Sequence, residues 1–472
     1  MWPGPASSDG RSVRIATWLL PLGILLYLAV FAWRFADERL YSDSGYYLAR
    51  VINEGTFRIE HGRWVLALSQ VLPLIGTKLG VPMSGLITLH SLNNVVWLGA
   101  CLLFVGRVLR DRSAMIALAA VHLIGLTHGL FCPIYELYYG VDLLIIFHAC
   151  YKSDRLSPSS RWLILTICFV GGISSHFIAV VLAVGVLALE RAWRDRKLLL
   201  VLGGATVAFL VVHVLTLSVY EKSGLEFLLG FADPGKLMDL ISPTRIMEFV
   251  VYLVIHYADT AIIAVAGAVM LWKDGQRWSM LVFITVLLIL HILAVMFLPG
   301  FMHDRYREQV NFATTAWILL VLCMRLLPTV RWRPFLLALL IGGSLFRMVC
   351  AEWAAQWYVE RTDLIVARVE QARSFGLTKG IVSAPVYFGP QHHVVDLSWS
   401  TSVESLLLSS KNGPEGTVSL ITTQDLDLPE VRMHLDGFIF RRWDIMDPSW
   451  LNTRYFRAPT GTYVPLPPDQ QP

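Results

Sequence analysis

The sequence predicts a polytopic α-helical membrane protein of about eleven transmembrane helices, with a small α/β domain at its C-terminal end. Three observations lead there. Of the 472 residues, 55% are hydrophobic and only 16% charged, whereas soluble domains run about a quarter charged. Apolar stretches approaching the ~20 residues that cross a bilayer recur between residues 15 and 351. Beyond residue 351 the pattern turns to short β-like runs.

Composition also excludes. Thirty-nine Lys+Arg against 35 Asp+Glu leave +4, with no basic run of the kind nucleic acid requires. The six cysteines, Cys101, Cys132, Cys150, Cys168, Cys323 and Cys350, lie in or beside apolar stretches without CxxC spacing. They read as packing residues rather than as a zinc site or a disulfide framework. No Walker A, GxGxxG or GxSxG motif and no internal repeat occurs.

The first apolar stretch, Ile15 to Trp33, is uncharged and runs straight into Arg34-Phe35-Ala36-Asp37-Glu38 with no small-residue cleavage site, so it predicts a retained signal anchor. Further spans are predicted at 84–106, 113–131, 135–151, 162–174, 176–190, 198–219, 249–272, 278–298, 310–326 and 334–351. The stretches 162–174 and 176–190 are each too short to cross upright. They make either one long buried helix or a pair meeting at Ser174-Ser175-His176. Charge favours the pair: counted as two, it puts the basic connections 107–112, 152–161, 191–197, 273–277 and 325–333 on one side, the cytoplasmic one. Connections 34–83, 132–134, 175, 220–248 and 299–309 then fall outside, together with the C-terminus. The expected location is a cell inner or plasma membrane.

The expected organisation is a transmembrane domain over 1–351 and an extracytoplasmic α/β domain over 352–472. The latter opens with a helix over 354–374 capped by Gly376 and continues in strands at 380–384, 386–388, 393–397, 417–422 and 437–440, then an extended or disordered tail from Pro465.

The segment 36–55 is the most informative in the chain. It places carboxylates directly after the first span, then a short helix from about Asp43 to Asn53 ended by Gly55; Trp64 to Leu79 reads as a second short helix along the membrane surface. Asp43 opens a helix, where the dipole favours negative charge, and two readings stand: a general base, or an N-cap. Glu136 falls at the next external turn and Asp142 less than two turns deeper, as cavity-facing groups or, for Glu136, as a solvated loop residue. In Phe301-Met-His303-Asp-Arg305-Tyr-Arg307-Glu308, the arginines suit a bidentate phosphate clamp or plain snorkelling to headgroups. His256 and Asp259, one turn apart, line the same cavity or pair structurally. Tyr46, Tyr47 and Trp64 offer stacking faces for sugars, or belong to an interfacial aromatic belt.

Asp43-Ser-Gly-Tyr-Tyr-Leu-Ala-Arg in a long first loop, the paired short span, the His-x-Arg-Tyr cluster before a late span and the external C-terminal domain together resemble the GT-C superfamily of integral-membrane glycosyltransferases. The likeness covers nearly the whole chain in architecture but few residues in motif. Members often carry Asp-Glu or Asp-Asp where this chain has Asp43-Ser44, a departure that leaves Asp43 a lone base and divalent-cation binding an open question. The resemblance implies transfer of a sugar from a polyprenyl-phosphate-linked donor to a hydroxyl acceptor (lipid, glycan or protein) of the cell envelope, on the extracytoplasmic face. Asp43 would be the base, Glu136 a second catalytic carboxylate, Arg305, Arg307 and His303 the donor-phosphate contacts, and Tyr46, Tyr47, Trp64, Asp142, His256 and Asp259 further substrate contacts. The partners are then the lipid-linked donor, the acceptor and membrane lipids, without nucleic acid. Competing readings are a transporter or flippase of lipid-linked glycans, whose repeated halves are not seen in the sequence, and a non-catalytic assembly protein.

Overall fold

The computed structural model describes residues 9–215, 222, 242–297, 304–383 and 398–467. Helix α1 (Asp9–Arg34) ends where the charged run begins. The loop after it is folded: a 3₁₀ turn at Glu38–Leu40, α2 (Asp43–Glu54), a 3₁₀ stretch at Trp64–Gln70 and α3 (Val71–Leu79). Both helices read from the sequence in this loop are present. Each stops at a glycine in the left-handed conformation, Gly55 and Gly80, where a side chain would be strained.

The bundle follows as α4 (Met83–Leu103, continued by a π-helical turn to Leu109), α5 (Arg112–Val121), α6 (Glu136–Lys152), α7 (Pro158–Ser175), α8 (Phe177–Leu189) and α9 (Arg196–Leu215). After it come α10 (Pro243–His256), α11 (Ala258–Lys273), α12 (Arg277–Phe297), α13 (Asp304–Leu326) and α14 (Arg333–Ser374). Among the described residues, five helices are long and apolar enough to cross a membrane: Thr17–Arg34, Met83–Leu109, Arg196–Leu215, Arg277–Ala294 and Arg333–Ser374. The single span expected at 249–272 is instead the pair α10 and α11, bent by 101°, and counts as a sixth if taken as one. The stretch 113–131 is α-helical only to Val121, after which the chain turns and closes in a 3₁₀ helix at His128–Phe131.

The paired short span is two helices. At His176 the backbone is extended, the ring Nδ1 accepts the Ile178 amide at 3.2 Å, and the Ser174 and Ser175 hydroxyls donate to Gly171 O and Gly172 O. Side chains thus satisfy backbone groups that a helix break would leave exposed.

Basic connections meet at one end of the bundle. Glu190 there accepts from His148 Nε2 (2.8 Å), Lys152 Nζ (3.1 Å) and Arg325 Nη2 (2.7 Å), while Gln276 donates to Arg325 O and Trp332 to Asp274. The other end gathers the last turn of α1, the first turns of α6 and α13, the α7–α8 break and the middle of α14. Phe131 packs edge to face on Phe31 and Phe35 there, with Tyr358 stacked on Phe131 at 3.7 Å.

The helix break expected at residue 351 is absent: α14 runs 42 residues without interruption. No Gly or Pro occurs between Ser344 and Ser374, and buried positions (Ala351, Ala354, Tyr358, Ile365, Val369, Ala372) continue at helical spacing. Past it, β1 (Lys379–Val382) lies between parallel β2 (Ser419–Thr422) and β5 (Val464–Pro465), and β3 (Phe438–Arg441) pairs antiparallel with β4 (Asp444–Met446). Strands β4 and β5 were not foreseen, and β5 takes the first residue of the expected tail. The runs 386–388 and 393–397 lie outside the described residues. Helix α15 (Thr401–Ser409) packs on β2 and on α2, so the main core is continuous from Ile24 of α1 to Leu406 and Phe440; only Ile381, Ile421, Val431, Ile439 and Tyr463 form a separate cluster.

Candidate functional site

The turn into α2 is built around Ser42, a non-glycine residue at φ 61° and ψ −127°. Such a conformation costs about 1–3 kcal/mol and persists where neighbours over-determine it. Here the Ser42 amide donates to Glu404 Oε1 at 3.0 Å, and Glu404 also accepts from Ser400 Oγ and Arg361, whose guanidinium lies 5.0 Å from the Tyr41 ring centroid. Arg361 and Glu404 are both buried. A Cβ on Gly45 would come within 2.6 Å of Leu40 O and 3.5 Å of Glu404, so glycine lets α2 seat this closely. Ser42 holds the cap position and Asp43 is the first helical residue, half-buried; the N-cap place foreseen for Asp43 thus falls to its neighbour. Ser44 turns inward, its hydroxyl donating to Arg39 O at 2.5 Å and lying 2.7 Å from His90 Nε2. A carboxylate at 44 would therefore not stand beside Asp43.

Asp43 opens on a cavity of about 990 Å³ at the end of the bundle opposite the basic connections. That size is at the upper end for small-molecule sites. Asp43, Tyr46 and Tyr47 line it from α2, Arg58 to Trp64 from the following loop, Ile134 to Glu136 from the start of α6, His176 from the α7–α8 break, Gln309 from α13, and Trp399, Arg441 and Trp443 from the C-terminal section. Five residues singled out in the sequence, Asp43, Glu136, Tyr46, Tyr47 and Trp64, come together in it.

Two carboxylate–arginine groups shape its walls. Glu136, first residue of α6 and buried, pairs with Arg63. Glu60 accepts from Tyr46 Oη at 2.6 Å, Arg58 Nε at 3.0 Å and Tyr47 Oη at 3.4 Å. Burial pushes the Glu60 carboxyl up, but the Tyr46 hydroxyl and the Arg58 guanidinium outweigh it and hold it below its ordinary value. The same contact works the other way on the phenol: burial and the adjacent Glu60 push Tyr46 up to about 12.

The remaining candidates lie elsewhere. Asp142 is fully buried, its Oδ1 accepting from His122 Nε2 and its Oδ2 from Trp97 Nε1, both at 2.9 Å; it faces α4 and α5 rather than a wet cavity. Asp259 takes Arg347 Nε at 2.8 Å and Nη2 at 2.5 Å. His256 does not share that pairing: its carbonyl accepts from Arg347 at 2.8 Å, and its exposed ring lies against Tyr252. His303 and the side chains of Arg305 and Arg307 lie outside the described residues. The next residue, Glu308, is buried and accepts the amides of Thr127, His128 and Gly129 at 2.5–3.0 Å, which pins the first turn of α13 beside the cavity that Gln309 lines. Among the described residues no group of three or more His, Cys, Asp or Glu side chains is placed to hold a metal ion.

Sequence reasoning missed Glu60, Arg58, Arg63, His176 and the C-terminal trio. The dense Arg58-Ile-Glu60-His-Gly-Arg63 run was a usable signal, since charges crowded into one external turn need partners. Nothing local marks Trp399, Arg441 or Trp443.

Comparison with known proteins finds no matching family model, no matching curated protein and no matching solved structure. The class the fold defines is therefore that of a helical chain with membrane-spanning character. Its function is to be argued from the cavity.

Proposed function

We propose that this chain is a membrane glycosyltransferase that moves a sugar from a polyprenyl-phosphate-linked donor to a hydroxyl acceptor on the extracytoplasmic face, in a fold of GT-C type with about eleven spans and an external α/β domain. The observation that carries the reading is the meeting of Asp43, Glu136, Tyr46, Tyr47 and Trp64, drawn from separate segments, in one cavity with Arg58, Arg63 and Arg441. In the transfer step the acceptor oxygen forms a bond to the anomeric carbon, the bond from that carbon to the lipid-phosphate oxygen breaks, and the electron pair stays on the phosphate. Asp43 takes the hydroxyl proton as general base, with Glu136 as the second carboxylate. Arg305, Arg307 and His303 stabilise the charge gathering on the departing phosphate.

The test is the mass of a lipid or glycan that disappears when the gene is deleted and returns with the wild-type chain. In that background Asp43→Asn keeps the size and removes the base, so turnover is expected to fall by about 100-fold at unchanged protein level. Full restoration by Asp43→Asn would remove Asp43 from the mechanism and shift the search to Glu136. A lipid-linked glycan that accumulates on the cytoplasmic side, with no product changed in mass, would mark a transporter instead. Sidedness is checked by cysteine labelling in intact cells: in a cysteine-free background Asn412→Cys, exposed beside the cavity end, is expected to react and Ser159→Cys, exposed at the basic end, is not.

A further inference from the structure

We propose that the acceptor is a glycan chain and that the β3–β4 hairpin tip, Arg441 and Trp443, together with Trp399, is the subsite that binds it. The inference rests on the transfer reading above for the word acceptor, and on the following geometry for the site. The rings of Trp399 and Trp443 stack with centroids 5.4 Å apart and planes 29° apart. Trp443 is 57% exposed at the cavity, while Phe438 and Phe440 of the same hairpin are fully buried. Across the same cavity Trp64 is 59% exposed.

The tip is held in place by more than its own turn. Arg441 lies 4.3 Å from the Tyr46 ring centroid and 5.5 Å from that of Trp443, and its Nε donates to Asp444 Oδ2 at 3.3 Å. The other donor to that oxygen is Arg50 Nη2 of α2, at 2.7 Å, and the Arg50 guanidinium is itself packed 4.9–5.4 Å from the rings of Trp450, Phe440 and Tyr46. The hairpin is therefore bolted to the helix that begins with Asp43. Among the described residues the terminal nitrogens of Arg441 make no hydrogen bond to protein.

These groups match a carbohydrate. A sugar ring has an apolar C–H face, which flat indoles cover, and a rim of hydroxyls, which guanidinium donors and carboxylate acceptors engage. A lipid tail would call for mainly aliphatic walls, whereas the described lining holds two aliphatic side chains, Ile59 and Ile134, among aromatic and charged ones. With about 990 Å³ available, the cavity has room for more than one ring.

The test uses the purified full-length protein in detergent and saturation-transfer NMR, with maltohexaose, cellohexaose and a linear mannohexaose as probes and the peptide Ala-Ala-Ser-Ala-Thr-Ala alongside. Transfer to the ring protons of at least one oligosaccharide is expected. Trp443→Ala should weaken it about tenfold, and Trp443→Phe, which keeps a flat face, should restore part of it. Thermal unfolding of each variant checks that the exposed position leaves the fold intact. Binding should survive Asp43→Asn, because the base is needed for transfer and not for stacking. Absence of transfer to every oligosaccharide, equal transfer in Trp443→Ala, or transfer to the peptide alone would overturn the subsite. No lipid or glycan product changed in mass by deletion of the gene, with oligosaccharide binding lost in Trp443→Ala, would instead sink the transfer reading and leave the glycan site standing.

Discussion

Arg347–Asp259 and Arg63–Glu136 are both arginine–carboxylate pairs in a largely apolar bundle, yet they sit in unlike surroundings. In the first, the side chains are 3% and 6% exposed, and Arg347 also reaches Thr127 Oγ1 and His256 O. In the second, Arg63 is 26% exposed and the pair forms the wall of a cavity. Arg361–Glu404 is likewise buried, and its carboxylate also takes the Ser42 amide and the Ser400 hydroxyl. A buried pair engaged by several neighbours holds elements in register and lies away from any ligand-sized space. A pair at a cavity wall keeps a solvent-facing side from which it can meet one.

That contrast breaks most sharply at Glu404. Glu404→Ala takes the carboxylate partner from the buried Arg361, which costs about 3–5 kcal/mol, and it also releases the strained turn before Asp43. The expected outcome is a large drop in melting temperature in detergent and in folded yield. A variant melting like the wild type would show that closed pairs here are not structural.

Next in size is Asp43→Asn, which should cost turnover by the factor given above and leave the melting temperature unmoved. The pairing of an unchanged melt with lost turnover is what separates a cavity carboxylate from Glu404. A melt shifted as far as that of Glu404→Ala would put Asp43 among the structural groups.

Glu60 sharpens the comparison through pH. Its carboxyl is held below its ordinary value by Tyr46 and Arg58, so the stabilisation is complete above the unfolded carboxyl's pKa. It is lost as pH falls through the lower folded value. Melting temperature against pH should therefore fall less steeply on the acid side for Glu60→Gln than for the wild type. Identical slopes would mean that the contacts stabilise neither charge state over the other.

The smallest effect is expected at Ser42. Among the described residues its buried hydroxyl has no hydrogen-bond partner, so Ser42→Gly removes strain of about 1–3 kcal/mol and adds back roughly 0.5–1 kcal/mol of chain entropy. A net gain of the order of 1 kcal/mol should show as a modest rise in melting temperature. A fall would mean that the side chain, rather than Glu404, fixes the turn.

The sequence alone determined the features whose causes are local. Helix α2 with its cap at Gly55, helix α3, the break at His176 and the stop near Gly376 were all legible, because periodicity and glycine conformation act within a turn or two of chain. Asp43, Glu136, Tyr46, Tyr47 and Trp64 stood out for the same reason, as polar or amphipathic groups at the edges of apolar helices. Tertiary structure decided what each group meets. Asp142 reads from sequence like Glu136, and only packing gives it His122 and Trp97 while Glu136 takes Arg63 at the cavity. It likewise ran α14 through residue 351 and brought Arg441 to the ring of Tyr46 from nearly 400 residues away. Periodicity fixes which face of an element is buried; the partner on that face is chosen by how the whole chain closes around its core.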